Sequence, residues 1–300
     1  NLSDRNKVIL ISLEEQCLCY PKSMPLNDTE ILARLESIGE QGGKLLDIGE
    51  AALLLAHLDL PKNNFTKYLD ELELIASNLS EASRDAKTLP DQITALSDTL
   101  YNRHGYRGDL DSYDDPQNAN LMRVMDRRKG LPVALGVLVI HAGRSQGWNI
   151  TGLNFPGHFL LRLTKSGEHA LIDPFDEARL LLTEDLQHLL AGVHGPEMKL
   201  QSEFVRSVSD QDILIRLQNN IKTRALRDGD RTRALEILIS MNLIGPTNVD
   251  VLAELAVLES SEGNYKSALG RLDLFLERNP ETESADDLMR LKQNLKRRLN

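Results

Sequence analysis

His158 and Asp173 are the residues of this chain whose types and spacing suit acid–base chemistry best. His158 stands in Asn154-Phe155-Pro156-Gly157-His158-Phe159, and Asp173 in Ile172-Asp173-Pro174-Phe175. The segments His158 to Leu163 and His169 to Ile172 have strand character. Thr164-Lys165-Ser166-Gly167 between them is a hairpin turn signal. A turn centred near Ser166 sets His158 roughly opposite Asp173, and cross-strand neighbours lie about 5 Å apart at Cβ. The expected product is an imidazole oriented by a carboxylate, the arrangement of a general base. Such a base needs a nucleophile to deprotonate. The apolar stretch Leu131 to Val139 contains no Ser, Thr or Cys, and Ser145 lies past its far end. Cys17 and Cys19 are far upstream. Water is what remains.

Other chemistries compete for these residues. A metal site would use His158, His169 and Asp173, since two His and one carboxylate form a known ligand set. No sequence signature supports that geometry, so no metal and no cofactor are expected. Asn118, Asn120, Arg123, Arg127 and Arg128 cluster just before the apolar helix. They read either as a solvated helix face with Asn caps or, for Asn120 and Arg128, as the mouth of a cleft. Arg suits recognition of carboxylate or phosphate through its planar donor fork. Tyr106 and Tyr113, in the preceding turn-rich loop, are candidates for the wall of the same cleft.

The elements that must position these residues change character along the chain. The first third reads as helices. Asn27-Asp28-Thr29 supply cap candidates before Ile31, Leu32, Leu35 and Ile38, which share one helical face. Similar stripes follow at Leu45 to Ala56, Tyr68 to Leu79 and Ile93 to Leu100. A short helix is expected from about Asn118 to Met125, and another from Pro132, a favoured first helical position. The period then switches to that of strands at Trp148. From about Gln211 it switches back, with an internal repeat. Gly229 and Gly263, Ala234 and Ala268, Leu238 and Leu272, and Pro246 and Pro280 each stand 34 residues apart. That period, with small residues at the helix crossing and Pro closing the unit, is the tetratricopeptide signature.

Bulk properties narrow the function classes. A net charge of −10 argues against nucleic-acid and anionic-membrane partners. The longest apolar run, Leu131 to Ile140, is too short to span a bilayer. Two cysteines make no disulfide framework, and no signal-peptide pattern opens the chain, so the cytoplasm is the expected compartment.

From about Leu46 to Pro280 the chain resembles the SirB family of bacterial proteins, a transglutaminase-like domain followed by tetratricopeptide repeats. The resemblance rests on Asp114-Asp115-Pro116-Gln117-Asn118-Ala119-Asn120-Leu121, on Arg127-Arg128-Lys129-Gly130-Leu131-Pro132, and on the His158 and Asp173 motifs. It implies an α+β fold: a helix-rich transglutaminase-like (papain-like) domain with a small antiparallel sheet, then an all-α repeat domain. The expected division is an N-terminal segment 1–27, a transglutaminase-like domain 28–205 and repeats 206–300. In transglutaminase-like enzymes a Cys at the helix N-terminus has its pKa lowered by backbone amides and the helix dipole. His158 and Asp173 match the base and its carboxylate in that pattern. Pro132 stands near the place of the Cys. The expected function is therefore a non-catalytic, protein-binding adaptor with a degenerate cleft, meeting a protein or peptide through the repeats or the cleft. The alternative is a hydrolase or amidase of peptide-like bonds that uses the His158–Asp173 pair with water.

Overall fold

The computed structural model describes residues 28–42 and 45–299. Cys17, Cys19 and the expected N-terminal segment 1–27 lie outside the described residues. Four helices come first: α1 (Asp28–Glu40), α2 (Ile48–Asp59), α3 (Phe65–Ala82) and α4 (Leu89–Ser97). The starts of α2, α3 and α4 are capped by side chains that accept from amides a helix start leaves unpaired. Asp47 accepts from Glu50, Asn64 from Thr66, and Thr88 exchanges bonds with Asp91 in a capping box. α2 is apolar almost all round and is buried accordingly. It packs against α1, α3, α5 (Leu121–Arg127), α6 (Pro132–Ser145) and α8 (Asp210–Arg227).

The expected helix near Asn118 is two pieces. A 3-10 turn, Pro116–Ala119, ends at Asn120, whose side chain then caps α5 through the Arg123 amide. The two-residue strands β1 (Arg107–Gly108) and β2 (Lys129–Gly130) pair in parallel, an element too short for periodicity to signal.

The main sheet is an antiparallel meander in the order β3 (Asn149–Leu153), β4 (Leu160–Lys165), β5 (Glu168–Asp173), β6 (Arg179–Leu181). Alternation decides its two faces. Leu161, Leu163 and Ile172 enter the main core with α6, while Leu160 and Leu181 pack under α7 (Thr183–His194) with Leu186 and Leu190. The β4–β5 hairpin turns on Ser166 (φ 52°) and Gly167 (φ 86°), with Lys165 across from Glu168. Two left-handed residues in a two-residue loop match the twist of the flanking strands.

This register corrects the expected one. The turn is centred between Ser166 and Gly167 rather than before Ser166, and Leu161 faces Ile172. Extending that register sets Asp173 beside Leu160, not His158. Nor does β4 reach back to His158. Pro156 and Gly157 turn the chain, with Gly157 at φ 71°, and the ladder begins at Leu160.

Five helices close the chain: α8, α9 (Arg231–Ile244), α10 (Val249–Ser261), α11 (Tyr265–Arg278) and α12 (Ala285–Leu299). They run as hairpins, α8 with α9 and α10 with α11. Gly229 (φ 79°) and Gly263 (φ 84°) occupy the same left-handed place after the first helix of each hairpin. The main core continues from the sheet and α6 into α8 through Ile213, Leu214, Leu217 and Ile221. A second, smaller core joins α10, α11 and α12 through Ala256, Ala268, Leu272 and Leu288. Among the described residues, no helix is long and apolar enough to cross a membrane.

Candidate functional site

The loop that carries His158 lies on the N-terminal half of α6. Gly136 makes the approach possible, because a Cβ there would stand 2.4 Å from Cε1 of Phe159. Pro132 is the first residue of that helix, and no side chain caps the helix start. Two residues hold the Asp173 loop. The Tyr101 hydroxyl donates to the Pro174 carbonyl at 2.6 Å, and the Phe175 ring lies on Gly108, where a Cβ would meet it at 2.6 Å. Tyr113 stands edge-on to Phe175 at 5.8 Å between centroids.

Within this setting, Asp173 and His158 do not form the expected pair. Oδ1 of Asp173 accepts from the Phe175 amide at 2.8 Å, so the carboxylate turns along its own chain. Burial pushes the Asp173 carboxyl above its ordinary value; the Phe175 amide opposes this, Asp176 adds to it, and the charge of His158 opposes it more weakly. His158 is thus within electrostatic reach, yet among the described residues no hydrogen bond joins its ring to Asp173. Its ring rests at 6.2 Å from that of Phe155 instead. The cause is the register: two residues of offset along the ladder separate the two side chains.

Three of the four cleft-wall candidates are used inside the helical layer. Asn120 donates to the Ala56 carbonyl and to Asp59, both at 3.1 Å, tying α5 to α2. Arg128, left-handed at φ 56°, donates to Glu71 at 2.6 Å and to the Tyr106 hydroxyl, with its guanidinium over the Tyr106 ring. Tyr106 is only 2% exposed, and burial pushes its phenol far up. His104 completes the network: Asn78 meets its Nε2 at 2.8 Å and Glu71 its Nδ1 at 3.2 Å. Among the described residues, none of Asn120, Arg128 and Tyr106 has a hydrogen bond or ring contact with His158 or Asp173. Tyr113 alone of the four touches the Asp173 loop, through Phe175. His169 faces solvent on β5, and no group of three His, Cys, Asp or Glu among the described residues is placed to hold a metal.

The residue that sequence reasoning missed is Arg216, on α8. Arg216, Asn220 and Arg224 recur at helical spacing, which puts them on one stripe. Nη2 of Arg216 donates to the His158 carbonyl at 2.8 Å, and its guanidinium lies over the Phe159 ring at 5.4 Å. Arg224 donates to the Asp114 carbonyl at 2.8 Å, to the Tyr113 carbonyl at 3.2 Å and to the Asp114 carboxylate at 3.1 Å. One stripe of α8 therefore clamps both loops that flank the site. The Tyr113 loop is further fixed at its start by Asp109. Burial alone would raise the Asp109 carboxyl, but bonds from the Ser112 hydroxyl and amide, then Asn118 and the charge of Lys129, hold it at about 2. A cavity of about 450 Å3 opens elsewhere, between α1 and α2, and shares no residue with these surroundings.

A helix N-terminus, a His-bearing loop and an Asp-bearing strand end thus follow one another along the chain, the last two on an antiparallel meander. The chain belongs to the transglutaminase-like superfamily, whose sequence profile matches residues 66–219. Its relatives include the UPF0162 protein of Xylella fastidiosa strain Temecula1, 27% identical over 80% of this chain and 87% of that protein. The UPF0162 protein of Pseudomonas aeruginosa is 30% identical over 66% of this chain and 72% of its own length. That of Vibrio cholerae is 34% identical over 62% and 64%.

Proposed function

We propose that this chain is a non-catalytic, protein-binding adaptor of the SirB type, acting in the cytoplasm. In this reading residues 28–205 form a degenerate transglutaminase-like domain and residues 206–300 form tetratricopeptide repeats. The observation that carries it is the state of the pair: the Asp173 carboxylate accepts from the Phe175 amide, while α6 opens on Pro132 where the superfamily's thiol would stand. A general base without an orienting carboxylate and without a nucleophile lacks both partners that acyl transfer requires. The 34-residue repeat and the helical hairpins α8–α9 and α10–α11 support the repeat assignment. Arrays of this kind offer a groove to peptides or helices. On α10, Asp250, Glu254 and Val257 share one face, and Val257 is half exposed.

The second reading is a hydrolase or amidase acting through His158 and water. It draws on one observation, that Asp173 still feels the charge of His158.

Affinity capture with wild type, Val257→Arg and His158→Ala separates the two. The adaptor reading expects one partner bound by wild type and lost with Val257→Arg. Equal recovery of all proteins by every variant contradicts it.

A further inference from the structure

Arg216 is a half-buried cation with no anion. Among the described residues no carboxylate lies within ion-pair distance of its guanidinium; its hydrogen bond goes to the His158 carbonyl and its flat face to Phe159. Five guanidinium groups of this interior are matched, Arg127 by Asp109, Arg128 by Glu71, Arg144 by Asp210, Arg224 by Asp114 and Arg233 by Asp59, whereas Arg162 bonds to the Val205 carbonyl and the Ser207 hydroxyl. Burying a charge is costly unless a counter-charge meets it. Burial indeed pulls the Arg216 guanidinium below its ordinary value, with only the Tyr113 phenol opposing. A guanidinium has five N–H donors, and a single one is engaged here. The side chain sits between the two loops that flank the site, beside Tyr113, which is 46% exposed.

We propose that Arg216, between the His158 loop and Tyr113, is the anchor for a single carboxylate of a bound peptide. The planar fork of an arginine fits a carboxylate or a phosphate in bidentate fashion. Two features select the monoanion. Asp173 and Asp176 lie on the adjoining turn, and the whole chain carries −10, so a dianion meets more repulsion than a carboxylate does. Phe159 closes the apolar side of the guanidinium and strengthens its pairing by keeping water from one face. This deepens the adaptor reading by naming the ligand class of the cleft, but its test needs no partner.

The test is an NMR titration of the full chain with acetate, with acetamide as the neutral isostere and sodium chloride as the ionic-strength control. The reporters are the Arg216 Nε–H resonance, assigned through its own backbone, and the Phe159 amide. Acetate is expected to shift both saturably and acetamide neither. Arg216→Gln is expected to weaken the acetate response at Phe159 about 10-fold or more. No saturable shift with acetate, or a stronger response to inorganic phosphate than to acetate, overturns the proposal. If Arg216→Gln does not fold, the wild-type titration decides alone. Failure here with Val257-dependent capture intact overturns the anchor and leaves the adaptor. A saturable acetate shift without any captured partner does the reverse.

Discussion

The carboxylate of Asp173 accepts from the amide of Phe175, two residues on, at 2.8 Å, and among the described residues no hydrogen bond joins it to His158. The Asp173 pKa is raised in the folded state, so the folded protein holds that proton more tightly than the unfolded chain does. Stability therefore falls as pH rises from about 3.8 through the raised value, and the cost persists at neutral pH. Asp173→Asn keeps an acceptor for the Phe175 amide and removes the charge. Urea denaturation at pH 7 is expected to show the variant at least as stable as wild type, with the difference fading in acid. Clear destabilisation at pH 7 would mean that the charge is needed where it stands.

His104 behaves in the opposite sense. Burial lowers its pKa from 6.5, with Glu71 only partly offsetting this, so the folded state resists protonation. Stability attached to it is complete above pH 6.5 and declines as pH falls below that. His104→Gln retains a donor for Glu71 and an acceptor for Asn78. The slope of unfolding free energy between about pH 6.5 and 5 is expected to flatten in this variant; an unchanged slope would assign it to another group.

α6 and α8 are joined by a buried ion pair. Arg144 meets both carboxylate oxygens of Asp210, at 2.6 and 2.9 Å, and Asp210 also accepts from the Leu46 amide. The Asp210 side chain is 4% exposed and that of Arg144 16%. Asp210→Ala leaves the guanidinium buried without its partner and is expected to cost about 3–5 kcal/mol by chemical denaturation. A loss below about 1 kcal/mol would place the pair among exposed ones.

Glycines on helices separate packing from propensity. At Gly136 a Cβ meets the Phe159 ring, so Gly136→Ala is expected to cost about 1–3 kcal/mol and to move the His158 loop. At Gly270, on α11, nothing lies within 4 Å, and Gly270→Ala is expected to add up to about 1 kcal/mol. Thermal unfolding of both variants checks the pair of signs.

Much of this architecture was legible in the chain itself. The helical stripes, the β4–β5 hairpin and the 34-residue repeat each come from local periodicity, and Gly229 and Gly263 fulfil the same turn in both helical hairpins. The superfamily was legible through the motifs in which His158 and Asp173 stand. The site's geometry was not. Moving the turn centre by one residue shifts every partner across the ladder by two, enough to part His158 from Asp173. Asn120, Tyr106 and Arg128 are polar residues near the apolar helix in sequence, and nothing local says that Ala56 and Glu71 receive their bonds. Arg216 was missed because its meaning lies in what it touches. One arginine in a polar stripe of α8 looks like any solvated residue until the His158 loop is seen beneath it.

On the adaptor reading, the His158 site does not turn over substrate. The most direct measurement exposes wild type and His158→Ala side by side to a library of amides and esters of peptide-like structure. Equal, background-level hydrolysis by both proteins is expected. Turnover by wild type that disappears in His158→Ala would contradict it and establish the hydrolase reading in its place.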